Sequence, residues 1–171
     1  MNKRPLLWKS SIQTPLGEVV AISDEKSLYL LEFVDRNHLQ RQIRRVTQGM
    51  EVLDGCSDPV NFIQEELELY FQGKLQTFQT PIVAVGSFFQ KKVWEALKNI
   101  SYGQTWSYGE VARAINNPNG FRAVAQAVGA NPFAILIPCH RVVRHNGDLG
   151  GYAGGVERKE SLLYLEKNGN I

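Results

Sequence analysis

The stretch Asn131-Pro-Phe-Ala-Ile-Leu-Ile-Pro-Cys-His-Arg-Val-Val143 decides how the rest of the chain is read. Five consecutive apolar residues, 133–137, stand between Pro132 and Pro138. A short apolar run closed by prolines predicts a buried strand whose end is forced into a turn. Cys139 and His140 follow at once, so a thiol and an imidazole stand where core gives way to irregular chain. Neighbours on a strand point to opposite faces, so the two side chains converge only if Pro138 has broken the strand. That arrangement is costly for packing alone and marks the candidate reactive site.

Working upstream, Ser87-Phe-Phe-Gln90 is a capping box that opens a helix, with Phe89, Val93, Trp94, Leu97 and Ile100 at helical spacing. A second box, Ser107-Tyr-Gly-Glu110, opens a short helix with Val111, Ala112 and Ile115 inward. Asn116-Asn-Pro-Asn-Gly120 is a turn, and Phe121-Arg-Ala-Val-Ala-Gln-Ala-Val128 is a third helix ended by Gly129. Two short helices joined by a tight turn match a helix-turn-helix, and an ordinary helical hairpin fits the same pattern. The last of these helices is mostly Ala and Val around Arg122, a surface that can lie close against a nucleic-acid backbone. It leads within a few residues to Cys139.

Downstream, Gly147-Asp-Leu-Gly-Gly-Tyr-Ala-Gly-Gly155 places five glycines in nine residues. Such a segment lets backbone run close to a ligand, or is a loose loop. No Lys-Ser/Thr follows it and no strand–GxGxxG–helix arrangement exists, which excludes a phosphate loop. Residues 156–167 read as a final helix. Glu166 follows Leu162 by four positions and Leu163 by three, on the face of that apolar pair. A carboxylate there needs a partner, and His140 is the candidate; a Glu exposed at a frayed helix end fits the sequence equally.

In the first half, residues 8–34 contain two strand-like segments with turns at Thr14-Pro-Leu-Gly17 and Ser23-Asp-Glu-Lys26, which predicts a small antiparallel sheet. Residues 37–46 form a basic helix with Leu39, Ile43 and Val46 on one face. Asp58 caps a further helix with Pro59 at its first position. Phe62, Ile63, Leu67, Tyr70 and Phe71 make its apolar face, and Gly73 closes it. His38 reads as a surface residue and Cys56 as a loop thiol. The uncharged segment 77–85 contains Thr80-Pro81 and marks a connection. The expected division is a support domain 1–80, a connection 81–87 and a second domain 88–171. The expected class is α+β, a small mixed α/β domain with an antiparallel sheet followed by a mostly helical domain with a helix-turn-helix.

Composition narrows the functions. The chain of 171 residues suits one domain or two small ones. It has no run of eighteen apolar residues and no signal-like N-terminus, so a soluble, cytoplasmic protein is expected, neither secreted nor membrane-spanning. Two cysteines give neither a disulfide framework nor metal-ligand spacing, which suits a reducing compartment. The net charge of +2 divides into −2 for residues 1–80 and +4 for residues 81–171, favouring an anionic partner for the second half.

Cys139, His140 and Glu166 supply a nucleophile, a base and an orienting acid. A free cysteine of pKa about 8.5 is a few per cent thiolate at pH 7, so full ionisation raises the reactive fraction roughly thirtyfold, about 2 kcal/mol. Attack on an unreactive carbon needs more, from in-line placement and stabilisation of the leaving group. The Tyr108 hydroxyl, the Asn131 amide and backbone N–H groups of the glycine loop are available donors.

Ile137-Pro-Cys-His-Arg-Val142, with Asn131-Pro132 upstream and Gly151-Tyr-Ala-Gly-Gly155 downstream, resembles the signature of the methylated-DNA–protein-cysteine methyltransferases, the O6-alkylguanine repair proteins. The resemblance runs from about residue 88 to 166; the first half matches in length and in its Thr-Pro-Leu-Gly turn. It implies a ribonuclease H-like N-terminal domain and direct, single-turnover repair of double-stranded DNA without cofactor or metal, by a monomer. Cys139 would take the alkyl group of a flipped O6-methylguanine. His140, through a water and oriented by Glu166, would deprotonate it. Tyr108 would protonate the leaving guanine and Asn131 would orient site groups. Arg122 would enter the base stack, with Phe121, Ala123 and Tyr108 on DNA and Val142, Tyr152 and Ala153 around the pocket. This chain departs from the family at Phe121, where a small residue is common, at Ser161, where Trp is common, and at Ala153, where some relatives have Ser. These 171 residues contain no counterpart of the cysteine-rich metal-binding domain of the regulatory relatives, so neither a metal nor a transcriptional function is expected. Two rival readings remain. A non-catalytic lesion-binding module conflicts with the presence of Cys139, and a Cys-His hydrolase has no use for a helix-turn-helix.

Overall fold

Apolar alternation and tight turns build the first sheet. The computed structural model describes residues 5–171. β1 (Leu7–Thr14), β2 (Gly17–Ser23) and β3 (Leu28–Phe33) form an antiparallel meander. Gly17, at φ 116°, makes the first turn, and Thr14 Oγ1 donates to its carbonyl at 2.6 Å. The chain then passes through α1 (Leu39–Thr47) to β4 (Val52–Asp54), which pairs parallel with β1. The sheet order is β3-β2-β1-β4. The four-stranded sheet is therefore mixed rather than wholly antiparallel, and its meander has three strands where the sequence suggests two. β4 has three residues, too few to carry a period of two.

α2 (Asp58–Phe71) packs on β1 and β2. Its cap is Ser57, not Asp58: Ser57 Oγ accepts from Val60 N at 3.4 Å, and Asp58 and Pro59 lie in the first turn. Val60, Ile63, Leu67 and Tyr70 face inward, while Phe62 is exposed, off that stripe. β2 is buried on both faces, as its unbroken apolar run requires. One face meets the main core; the other meets α1 in a smaller cluster of Leu7, Val20, Ile22, Leu30 and Val46.

The second half holds α3 (Phe88–Leu97), β5 (Trp106–Ser107), α4 (Tyr108–Ala114), α5 (Phe121–Gly129), β6 (Val142–Val143) and α6 (Val156–Asn168). Both capping boxes form, at Ser87/Gln90 and at Ser107/Glu110. α4 and α5 meet across the Asn-rich turn as a helix-turn-helix pair, and Trp94 Nε1 of α3 donates to the Ala127 carbonyl of α5 at 2.8 Å. β5 and β6 pair in parallel, bringing Ser107, the cap of α4, alongside Val143.

The apolar run 133–137 is not a strand. Only Phe133 bridges, to Leu31 of β3, where Leu31 N donates to the Pro132 carbonyl at 2.9 Å and Ala134 N to the Leu31 carbonyl at 2.8 Å. Ile135 then takes φ 68°, a left-handed backbone that a β-branched residue adopts only when its surroundings force it. The run is buried as a plug, and one core joins both halves through Phe33, Tyr70, Trp94, Phe133 and Leu162. Phe133→Ala should therefore cost about 3–5 kcal/mol of stability. Urea unfolding measures this, and a loss below about 1 kcal/mol would mean that Phe133 does not join the halves.

Candidate active site

Pro138 ends the plug, and residues Cys139–Arg141 make one 3-10 turn. The Asn131 side chain supplies the hydrogen bonds that a strand ladder would have made. Its Oδ1 accepts from Phe133 N at 2.9 Å, and its Nδ2 donates to the carbonyls of Phe133 (3.1 Å) and Ile137 (2.9 Å). The same Nδ2 lies 3.1 Å from Cys139 Sγ as its donor. Cys139 is 7% exposed and opens on a cavity of about 260 Å³ walled by Glu32, Tyr108, Val128, Tyr152 and Ala153. Burial pushes the thiol up to about 11, with the Asn131 hydrogen bond opposing.

Behind the sulfur, His140 Nε2 lies 2.7 Å from Glu166 Oε1, both side chains fully buried. A carboxylate can only accept, so Nε2 carries the proton and Nδ1 is left basic; the tautomer follows from this network. Nδ1 has no hydrogen-bond partner among the described residues. Burial lowers the His140 pKa against the opposing pull of Glu166, so the imidazole rests neutral with Nδ1 unprotonated. For Glu166, burial works upward, but hydrogen bonds and charge from His140 and Arg141 override it and hold the carboxyl well below the usual range. Arg141 donates to it through Nε at 2.8 Å and Nη2 at 2.9 Å, Tyr70 through its hydroxyl at 2.7 Å and Gly103 through its N–H at 3.3 Å.

The outer face belongs to the helix-turn-helix. Phe121, Arg122 and Ala123 are exposed at the start of α5, with the Arg122 guanidinium 5.9 Å from the Phe121 ring centroid. Tyr108 is half-buried and lines both the Cys139 cavity and an outer recess with Phe121, Arg144 and His145. Its pKa is raised by burial and then by Cys139, which keeps the phenol protonated. Tyr152 and Ala153 wall the cavity; Val142 is buried behind it and is not part of the lining. A larger cavity of about 440 Å³, near Tyr102 and Arg141, includes neither Cys139 nor His140 in its walls. Cys56 is exposed, outside this site, with Sγ 3.1 Å from Asn61 Oδ1.

Residues 7–84 match the ribonuclease-like domain of 6-O-methylguanine DNA methyltransferase, and residues 88–168 match its DNA-binding domain. A relative in Methanosarcina acetivorans named methylated-DNA–protein-cysteine methyltransferase is 39% identical over 163 residues, covering 94% of this chain and 98% of its own. One of the same name in Haemophilus influenzae is 35% identical over 162 residues, covering 94% and 87%. The crystal structure of Mycobacterium tuberculosis OGT in complex with DNA matches with a TM-score of 0.83 at 35% identity, covering 96% of this chain and 94% of that one. The chain belongs to the methylated-DNA–protein-cysteine methyltransferase family.

Within that family frame, two further residues of this site escape a reading of the sequence. Arg141 sits beside the reactive pair and carries the charge that balances Glu166. Lys159 is fully buried, and its Nζ donates to the carbonyls of Val142 (2.5 Å), Gly151 (3.2 Å) and Leu149, tying the glycine loop to α6. Burial pushes Lys159 down to about 8. It stands seven residues before Glu166, on the same helical face, so spacing could have found it. Phe121, the departure from the family's small residue, points outward rather than into the core.

The raised thiol gives a direct test. Iodoacetamide at pH 8 should label exposed Cys56 before Cys139, and Cys139 labelling should rise with pH toward about 11. Peptide mass mapping follows both; Cys139 reacting first at pH 8 would contradict a buried, protonated sulfur.

Proposed function

We propose that this chain repairs O6-alkylguanine in double-stranded DNA by moving the alkyl group onto Cys139, once per molecule. The observation that carries this reading is the sulfur itself. It faces a base-sized cavity next to a helix-turn-helix, with a neutral imidazole and an ionised carboxylate behind it. The family name and the DNA complex of the Mycobacterium tuberculosis relative support the same activity and the same partner.

In this reading the target base leaves the duplex at a cost of a few kcal/mol, least for a poorly paired lesion, so damage is favoured before any base is read. Arg122 fills the gap left in the stack, with Phe121 and Ala123 against the minor groove. The base enters beside Tyr108, Tyr152 and Ala153. The Cys139 proton passes to His140 Nδ1 by way of a water, and Glu166 holds the ring so that this nitrogen is the basic one. The sulfur then forms its bond to the alkyl carbon as the bond from that carbon to O6 breaks. The electron pair goes to the guanine, and Tyr108 gives its proton to the ring. Asn131 holds the sulfur in line. Residues 88–171 carry binding and chemistry, residues 1–80 support them across the 81–87 connection, and the protein works as a cytoplasmic monomer. No helix among the described residues is long and apolar enough to cross a membrane.

A duplex carrying methyl-labelled O6-methylguanine should give one methyl per chain, on Cys139, and then stop. Multiple turnovers, or label on Cys56, would contradict the assignment. Arg122→Ala should slow repair of a well-paired duplex more than repair of single-stranded substrate, since only the duplex has a stack to hold open. Equal losses on the two substrates would remove that role from Arg122.

A further inference from the structure

The C-terminal end of a helix leaves carbonyls without intrahelical donors. At the end of α5 they are met by side chains from the other half of the chain. Gln42 Nε2 donates to the Ala130 carbonyl at 3.1 Å, and Arg45 Nη2 to the same oxygen at 2.8 Å. Arg36 Nη2 donates to the Gly129 carbonyl at 2.7 Å, and its Nη1 to the Asn131 carbonyl at 3.0 Å. The same Nη1 pairs with Glu32, a carboxylate 2% exposed on the wall of the Cys139 cavity. One guanidinium thus joins the end of the helix-turn-helix, the pocket wall and the backbone of the residue whose amide touches the sulfur.

We propose that Arg36 is a positioning residue for alkyl transfer, fixing Asn131 so that its side-chain amide meets Cys139 Sγ and coupling the first half of the chain to the reactive sulfur. The consequence for catalysis rests on the transfer reading given above. The planar fork of arginine suits the task, because it reaches two carbonyls and a carboxylate at once. Lysine, a point charge on a flexible stem, keeps the pairing with Glu32 but cannot span Gly129 and Asn131 together. The ionisable groups around Cys139 are His140, Glu32, Arg36, Tyr108, Tyr152 and Lys159. Of these, Arg36 is the one that donates to the Asn131 carbonyl. Losing the Asn131 donor removes a hydrogen bond that lowers the thiol pKa.

The test compares Cys56→Ser protein with the same protein carrying Arg36→Lys or Arg36→Gln, all checked for folding by circular dichroism. Iodoacetamide labelling of Cys139 is followed from pH 7 to 11, and methyl transfer from an O6-methylguanine duplex is followed at pH 7 and pH 9. Arg36→Lys should slow labelling about tenfold at pH 8, as for a thiol shifted one unit upward, and Arg36→Gln by at least as much. Methyl transfer should fall by a similar factor at pH 7 and recover in part at pH 9. A labelling curve for Arg36→Lys that overlays the parent overturns the proposal, whatever happens to thermal stability, because Arg36 would then act only as a clamp or a charge. A parent protein that takes no methyl, with the labelling shift intact, counts against alkyl transfer and leaves the Arg36–Asn131–Cys139 linkage standing.

Discussion

The site depends on one buried carboxylate. Taking a charge out of water costs several kcal/mol even after the surroundings relax, and the cost is offset only when geometry and hydrogen bonding are nearly complete. Glu166 meets that condition with donors from α2, the segment after α3 and the 3-10 turn. Arg141 matches its charge, and Tyr70 and Gly103 take what remains. Removing the carboxylate alone would strand Arg141 without a counter-charge, a loss of about 3–5 kcal/mol. Because so many elements converge on one group, the imidazole of His140 has one orientation and one tautomer. The basic nitrogen is chosen by the fold before any substrate arrives.

That choice matters because the sulfur is not a thiolate at rest. With its pKa near 11, about one molecule in ten thousand is ionised at pH 7. Deprotonation on demand therefore spans about four decades, near 5 kcal/mol, rather than the 2 kcal/mol that an ordinary cysteine would give. Desolvation sets this gap, and under the proposed mechanism His140, itself held neutral by burial, takes the proton only as the sulfur reacts. A buried, protonated sulfur is also a poor target for stray electrophiles and oxidants, since reactivity follows the thiolate and its exposure. Under the proposed mechanism the cavity gives up constant reactivity for selectivity, since the thiol becomes a nucleophile when a base fills the pocket.

Much of this is legible in the sequence where the signal is local. The Cys139-His140 pair follows a proline, both capping boxes read directly, and Glu166 falls on the face of Leu162 by helical spacing. What escapes is carried by contacts between distant residues. Tyr70 reaches Glu166 across 96 positions and Arg36 reaches Asn131 across 95, and nothing near either residue announces its partner. The run 133–137 misleads for a related reason. Its composition is that of a core strand, but the Asn131 amide satisfies its backbone locally and lets Ile135 turn left-handed. Asn131 is legible as a possible donor; that it substitutes for a ladder is visible only in three dimensions. Lys159 lies on the inner face by spacing, yet lysine is so seldom fully buried that composition argues for water.

In the proposed transfer to Cys139, single use follows from the same burial that makes the sulfur selective. Once the alkyl carbon is bonded to Cys139, the sulfur is a thioether with no proton for His140 to take and no charge to restore. Asn131 Nδ2 then faces a poorer acceptor, and the added carbon occupies space that the cavity walls define. To regenerate the thiol, a nucleophile would have to reach that carbon from the side opposite the sulfur, inside a pocket whose walls are largely apolar. No carboxylate or imidazole is placed there for the purpose: His140 and Glu166 lie behind the sulfur, and Glu32 is held by Arg36 and the Phe33 N–H. The geometry that presents the thiol to one incoming carbon is thus the geometry that keeps water and bases from removing it.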